Sequence, residues 1–135
     1  MPKQFIQPEG LTRSPAYTHV VTAQGGTLVF ISGQIALNAN GELVGRGDLR
    51  AQTIQVFNNL QTALAAAGAS FNDVVKLNIY IVNYKPEDRA VLGEVRSQYL
   101  SKGNPPASTL IGVQSLAFDG LLIEIEATAV VESLP

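Results

Sequence analysis

The sequence predicts an α+β fold: a mostly antiparallel sheet with two helices packed on one face. Three observations carry that expectation. Short apolar runs are separated by glycine, proline and asparagine breaks. Two longer segments place apolar residues at spacings of three and four. The order of these elements reads ββαβαββ.

The first eighteen residues, with Pro2, Pro8, Gly10 and Pro15, are expected to be irregular. His19-Val20-Val21-Thr22 and Leu28-Val29-Phe30-Ile31-Ser32 flank Gln24-Gly25-Gly26-Thr27 and read as a hairpin. The second strand is apolar on both faces, Leu28 and Phe30 on one, Val29 and Ile31 on the other. A strand half exposed to water should alternate, so each face needs a cover. Asn38-Ala39-Asn40-Gly41 is a further turn signal.

Asp48 suits the cap of a helix running to about Ala67, where Gly68 stops it. Ile54, Phe57, Leu60, Leu64 and Ala67 form one face, widened by Val56 and Ala63. Val74 to Ile81 alternates, with Val75, Leu77, Ile79 and Ile81 inward. Pro86 opens a second helix to about Leu100, which Gly103-Asn104-Pro105-Pro106 breaks. Ser108 to Val113 is a short strand. Leu121 to Val131 is a long one, with Ile123, Ile125, Ala127 and Ala129 opposite Glu124, Glu126 and Thr128. Two helices cover only one side of such a sheet. The doubly apolar strand therefore predicts a homo-oligomer, whose interface is a natural place for a pocket.

The chain has 135 residues, 46% hydrophobic and 15% charged, which suits one folded domain over 1–135. Nine Lys/Arg against eleven Asp/Glu argue against nucleic acid or an anionic membrane as partner. With no cysteine, disulfides and thiolate chemistry are excluded, and a lone His19 leaves no multi-histidine metal site. The polar start is no signal peptide, no apolar run spans a bilayer, and the expected location is cytoplasmic.

Glu124 and Glu126 lie two apart on one strand face. Either one of them is a general acid/base or positions a water, or both lie on the solvated outer face of an edge strand. The apolar run around them favours burial against a partner, which raises a carboxyl pKa. Gly33, in Ser32-Gly33-Gln34, either brings a backbone N–H to a ligand or marks a bend. Tyr17 and His19 are pocket candidates, and no serine is tied to His19 as in a triad. Gly45-Arg46-Gly47 lacks the spacing of a phosphate loop. Residues 103–135 hold no Lys or Arg, so an anionic ligand near Glu124 must find its counter-charge on another segment or subunit.

Together, Val29-Phe30-Ile31-Ser32-Gly33-Gln34-Ile35 and Ile123-Glu124-Ile125-Glu126-Ala127-Thr128-Ala129-Val130 resemble the Rid family of YjgF-type reactive intermediate deaminases, once labelled L-PSP endoribonucleases. Ser14-Pro15-Ala16-Tyr17, Asn58-Asn59-Leu60, Asp73-Val74-Val75-Lys76 and Pro106-Ala107-Ser108-Thr109 add to the match, over about residues 14–131. The resemblance implies a fold like that of trimeric chorismate mutase, a homotrimer with clefts between subunits. It implies hydrolysis of imino or enamino acids without a cofactor. It gives Glu124 the attacking water, Gly33 a backbone N–H, and Ser32 and Tyr17 places in the pocket.

This chain departs from the pattern in four places. Where active members carry a carboxylate-gripping arginine after Pro-Ala, it has Ser108. An asparagine expected in the second helix is missing, with Gly93 or Glu94 nearby, and extra residues fall before Tyr17 and within Phe118–Leu121. A hydrogen bond to a charged group is worth roughly 1.5–3 kcal/mol, or about 10- to 150-fold in binding. Arg96 or Arg89 is the candidate replacement. Two readings stand: a hydrolase of imine, enamine or related C–N metabolites using Glu124, Ser108, Gly33, Ser32, Tyr17 and Arg96, or a non-catalytic trimer that binds a small metabolite. A nuclease is disfavoured by the absence of a basic stripe or stacking platform.

Overall fold

The structure, a computed structural model, describes residues 3–132; Pro2, expected in an irregular start, lies outside them. The strands are β1 (Lys3–Ile6), β2 (Val20–Ala23), β3 (Thr27–Gln34), β4 (Val74–Val82), β5 (Ala107–Val113) and β6 (Ile123–Val131). The helices are α1 (Leu49–Ala66) and α2 (Pro86–Arg96). The main sheet runs β3-β6-β4-β5, with β3–β6 and β6–β4 antiparallel and β4–β5 parallel. The expected mixed α+β architecture is therefore present.

Local chemistry sets the helix ends. Asp48 caps α1, its Oδ1 accepting from the Ala51 N–H at 3.1 Å. Gly68 follows with φ of 72°, the left-handed value that glycine takes without a Cβ clash. Pro86 occupies the first turn of α2, and Asp88 accepts from the Lys85 N–H at 2.9 Å. This helix ends at Arg96 rather than near Leu100, and the chain then tightens into turns.

The core lies between α1, α2 and one face of the sheet. Val56, Phe57, Leu60 and Leu64 of α1 are buried against Leu77, Ile79 and Ile81 of β4 and Ile123 and Ile125 of β6. Phe57 stacks on Tyr99, ring centres 5.0 Å apart. Within β4 a register shift between Val74 and Lys76 buries Val74, where alternation had assigned Val75.

The expected hairpin is not formed. Strand β2 pairs antiparallel with β1, while β3 pairs with β6. Turn chemistry marks where a strand ends, but not which edge it joins. Gly26 permits a close approach: a Cβ there would stand 3.1 Å from the Val131 carbonyl carbon. Strand β1 lies in the stretch expected to be irregular and is tethered by Lys3 to Asp73 at 3.6 Å.

On the other face of the sheet no helix packs among the described residues. Leu28, Phe30 and Ile111 are 61%, 76% and 46% exposed there. No helix among the described residues is long and apolar enough to cross a membrane.

Candidate functional site

The sheet register sorts the candidate residues onto two faces. Ser108 pairs with Leu77, so it points to the helix side. Glu124 pairs with Tyr80 and Glu126 with Asn78, so both point to the open side. Within one chain, Ser108 and Glu124 therefore do not meet.

On the helix side, a cleft of about 320 Å³ is lined by Tyr17, Tyr84, Arg89, Gly93, Arg96 and Ser108, among others. Each is positioned by identifiable contacts. The buried Thr18 donates its N–H to the Pro106 carbonyl at 3.1 Å and its hydroxyl to the Pro105 carbonyl. Gln7 Nε2 donates to the Tyr17 carbonyl at 3.1 Å, and Arg96 donates to the Ala16 carbonyl at 2.9 Å. The Ala16–Thr18 segment is thus held from three sides, with the Tyr17 ring edge-on to His19 at 5.2 Å. His19 itself contacts the Thr12 carbonyl at 2.6 Å and does not line the cleft.

Arg89 and Arg96 lie seven residues, about two turns, apart on one face of α2. Burial lowers the Arg96 pKa from its ordinary value, yet a guanidinium stays charged at neutral pH. Among the described residues the ion pairs are Lys3–Asp73, Arg46–Asp119 and Arg50–Glu94. Neither cleft arginine has a carboxylate partner, and the cleft lining contains no acid. That arrangement favours an anion.

Sequence reasoning missed Tyr84. Its signal was Asn83, which leaves β4 at φ of 49°, a left-handed value that asparagine tolerates better than most residues. Gly112 completes the fit, since a Cβ there would stand 2.9 Å from Tyr84 Cβ.

On the open side, β3 carries one extra residue between the pairs Ile31–Ala127 and Gln34–Ile125. Ser32 and Gly33 sit in this bulge. A Cβ on Gly33 would stand 2.6 Å from Glu124 Cδ, so the glycine makes room for the carboxylate. Next to it, Glu126 accepts from the Tyr80 hydroxyl at 2.8 Å and from Asn78 Nδ2 at 3.0 Å. That hydrogen bond, then desolvation and the charges of Glu126 and Glu124, hold the Tyr80 pKa above 10.0. Glu124 has no side-chain partner among the described hydrogen bonds and ion pairs, whereas Glu126 is engaged. Ser32 and Glu126 also border an open pocket of about 360 Å³ beside Phe30.

Residues 10–131 match the family model described as Endoribonuclease L-PSP. A Dermatophagoides farinae 2-iminobutanoate/2-iminopropanoate deaminase is 32% identical over 131 residues, covering 97% of this chain and 98% of that protein. An Acinetobacter baylyi 3-aminoacrylate deaminase, RutC, is 32% identical over 105 residues, covering 78% and 81%. Among solved structures, a Yersinia pestis protein of unknown function from the conserved Rid family superposes with a TM-score of 0.89 at 45% identity, covering 97% of this chain and 100% of that one.

Proposed function

The chain belongs to the Rid, or endoribonuclease L-PSP, family, and from that premise we propose that it is a cofactor-free hydrolase of imino or enamino acids. Its site is split between two copies. One copy offers the helix-side cleft with Tyr17, Ser108 and Arg96. A neighbour offers Glu124, Ser32 and Gly33 from its open sheet face. A homotrimer closes three such clefts by symmetry. The exposed Leu28, Phe30 and Ile111 supply an apolar surface for that contact.

The observation that carries this reading is the pair of cleft arginines without carboxylate partners. Ser108 stands where the family resemblance calls for arginine and brings no charge. Arg96, facing the same cleft, supplies the missing cation for a substrate carboxylate. Glu124 then takes a proton from water as the oxygen attacks the C=N carbon. The Glu124 proton passes to the nitrogen, giving a neutral tetrahedral adduct; as the C–N bond breaks, the adduct's hydroxyl proton is carried by Glu124 to the same nitrogen, so that C=O forms and ammonia leaves. An imino acid and water thus become an oxo acid and ammonia, with nothing oxidised or reduced.

The test is the hydrolysis rate of freshly generated 2-iminopropionate above the spontaneous rate. The wild type should accelerate it, Glu124→Gln should abolish the acceleration, and Arg96→Gln should lower kcat/KM by about 10- to 100-fold. No acceleration by the wild type, with a gain in Ser108→Arg, would instead identify a non-catalytic metabolite-binding trimer on the same scaffold.

A further inference from the structure

Resting on the reading of the Arg96 cleft as the ligand site, we infer that Gly93 sets the size of the ligand, opening the cleft to acids with a bulky apolar side chain. A second cavity, of about 290 Å³, adjoins the first and shares Ala16, Gly93 and Arg96 with it. The two differ in character. The first holds the polar groups Tyr17, Ser108 and Arg89. The second is lined by Pro15, Leu100 and Pro105, with Ser97, Ser101 and Lys102 also on its wall.

The α2 face explains the division. Arg89, Gly93 and Arg96 follow one another at four and three residues, so they line one stripe of the helix. Gly93 is the midpoint, about 6 Å along the axis from Arg89. Gly93 lines both cavities, so a side chain there would intrude where they adjoin, beside the Arg96–Ala16 hydrogen bond that also borders both.

Folding gives no reason for that glycine. Its φ is not left-handed. Apart from its chain neighbours and the backbone of its own helix, no heavy atom lies within 4 Å of where its Cβ would stand, so no close packing demands it. Glycine inside an exposed helix is also the poorest choice after proline. Gly33 and Gly112, by contrast, are each explained by a close neighbour. An open passage over Gly93 accounts for the residue: the carboxylate sits at Arg96, the reacting carbon stays near Ser108, and the side chain crosses toward Pro15, Leu100 and Pro105. The ligand class is a branched-chain or aromatic 2-imino acid, or its 2-oxo product.

Calorimetric binding of two product-type acids, pyruvate and 4-methyl-2-oxopentanoate, tests this without requiring turnover. The wild type should bind the longer acid at least about tenfold more tightly, as three further carbons leave water. Gly93→Leu should collapse that ratio below about threefold, because the new side chain fills the passage. Gly93→Ala, which only removes the glycine penalty, should raise Tm by about 2–4 °C and leave an intermediate ratio. Equal affinities in the wild type, or a preference that survives Gly93→Leu, would overturn the inference while leaving the ligand site standing. Binding of neither acid would overturn the ligand site itself, and this inference with it.

Discussion

Gly33 and Glu124 compete for one space: a Cβ on Gly33 would stand 2.6 Å from Glu124 Cδ and 2.8 Å from its Cγ. The Gly33 backbone is not left-handed, so alanine could adopt its conformation. The three atoms nearest to such a Cβ all belong to the Glu124 side chain, so the carboxylate requires the glycine. Gly33→Ala should therefore displace Glu124 and lower imine hydrolysis at least about tenfold, while Tm falls by only a few degrees. Steady-state kinetics beside a thermal melt checks both halves.

The open sheet face should hold the oligomer together. Phe30 is 76% exposed in the single chain and lies opposite Thr128 on that face. Phe30→Glu should put a charge into the contact and give a folded but smaller species by analytical ultracentrifugation. An unchanged mass would place the interface elsewhere.

Gln52 is a buried joint that helical periodicity did not identify. Its Nε2 donates to the Gly45 and Gly120 carbonyls at 3.1 and 2.9 Å, and its Oε1 accepts from the Leu122 N–H at 2.8 Å. Gln52→Ala leaves the Gly120 carbonyl and the Leu122 N–H unpartnered, while the Gly45 carbonyl keeps the Asp48 N–H at 2.9 Å; each such loss costs about 1–3 kcal/mol. Denaturant unfolding should show a loss of at least about 2 kcal/mol.

Tyr80 should titrate late. Its hydrogen bond to Glu126 favours the neutral phenol and raises its pKa above 10.0. A pKa raised on folding contributes stability that is fully present below the unfolded value and lost as pH rises through the folded one. An ultraviolet titration should find a tyrosine ionising above pH ~10, absent in Tyr80→Phe, and the contribution of this group to stability should be fully present at neutral pH and lost as pH rises through that ionisation.

The parts of the fold legible in the sequence were those with local causes. Asp48, Gly68 and Pro86 act within one helical turn of their own positions, and β6 alternates without a break from Ile123 to Ala129. What stayed hidden depends on partners distant in the chain. Strand β2 joins β1, some seventeen residues earlier, and no local signal names that edge. The site divides the same way. Tyr17, Arg96 and Ser108 gather in one cleft, and Glu124, Ser32 and Gly33 on the other face. A list of residues cannot report such a division, since only register assigns each side chain to a face. Tyr84 was overlooked as a cleft residue because it follows a strand, and Gly93 was noted only beside the place of a missing asparagine.

The decisive measurement is activity after mixing one inactive and one impaired chain. Glu124→Gln keeps the Arg96 cleft, and Arg96→Gln keeps Glu124. If the site is shared between copies, unfolding and refolding them together rebuilds clefts with both intact sides. Random assembly of an equal mixture then restores about a quarter of wild-type imine hydrolysis. Activity no greater than the sum of the two variants refolded separately would contradict a site built from two copies.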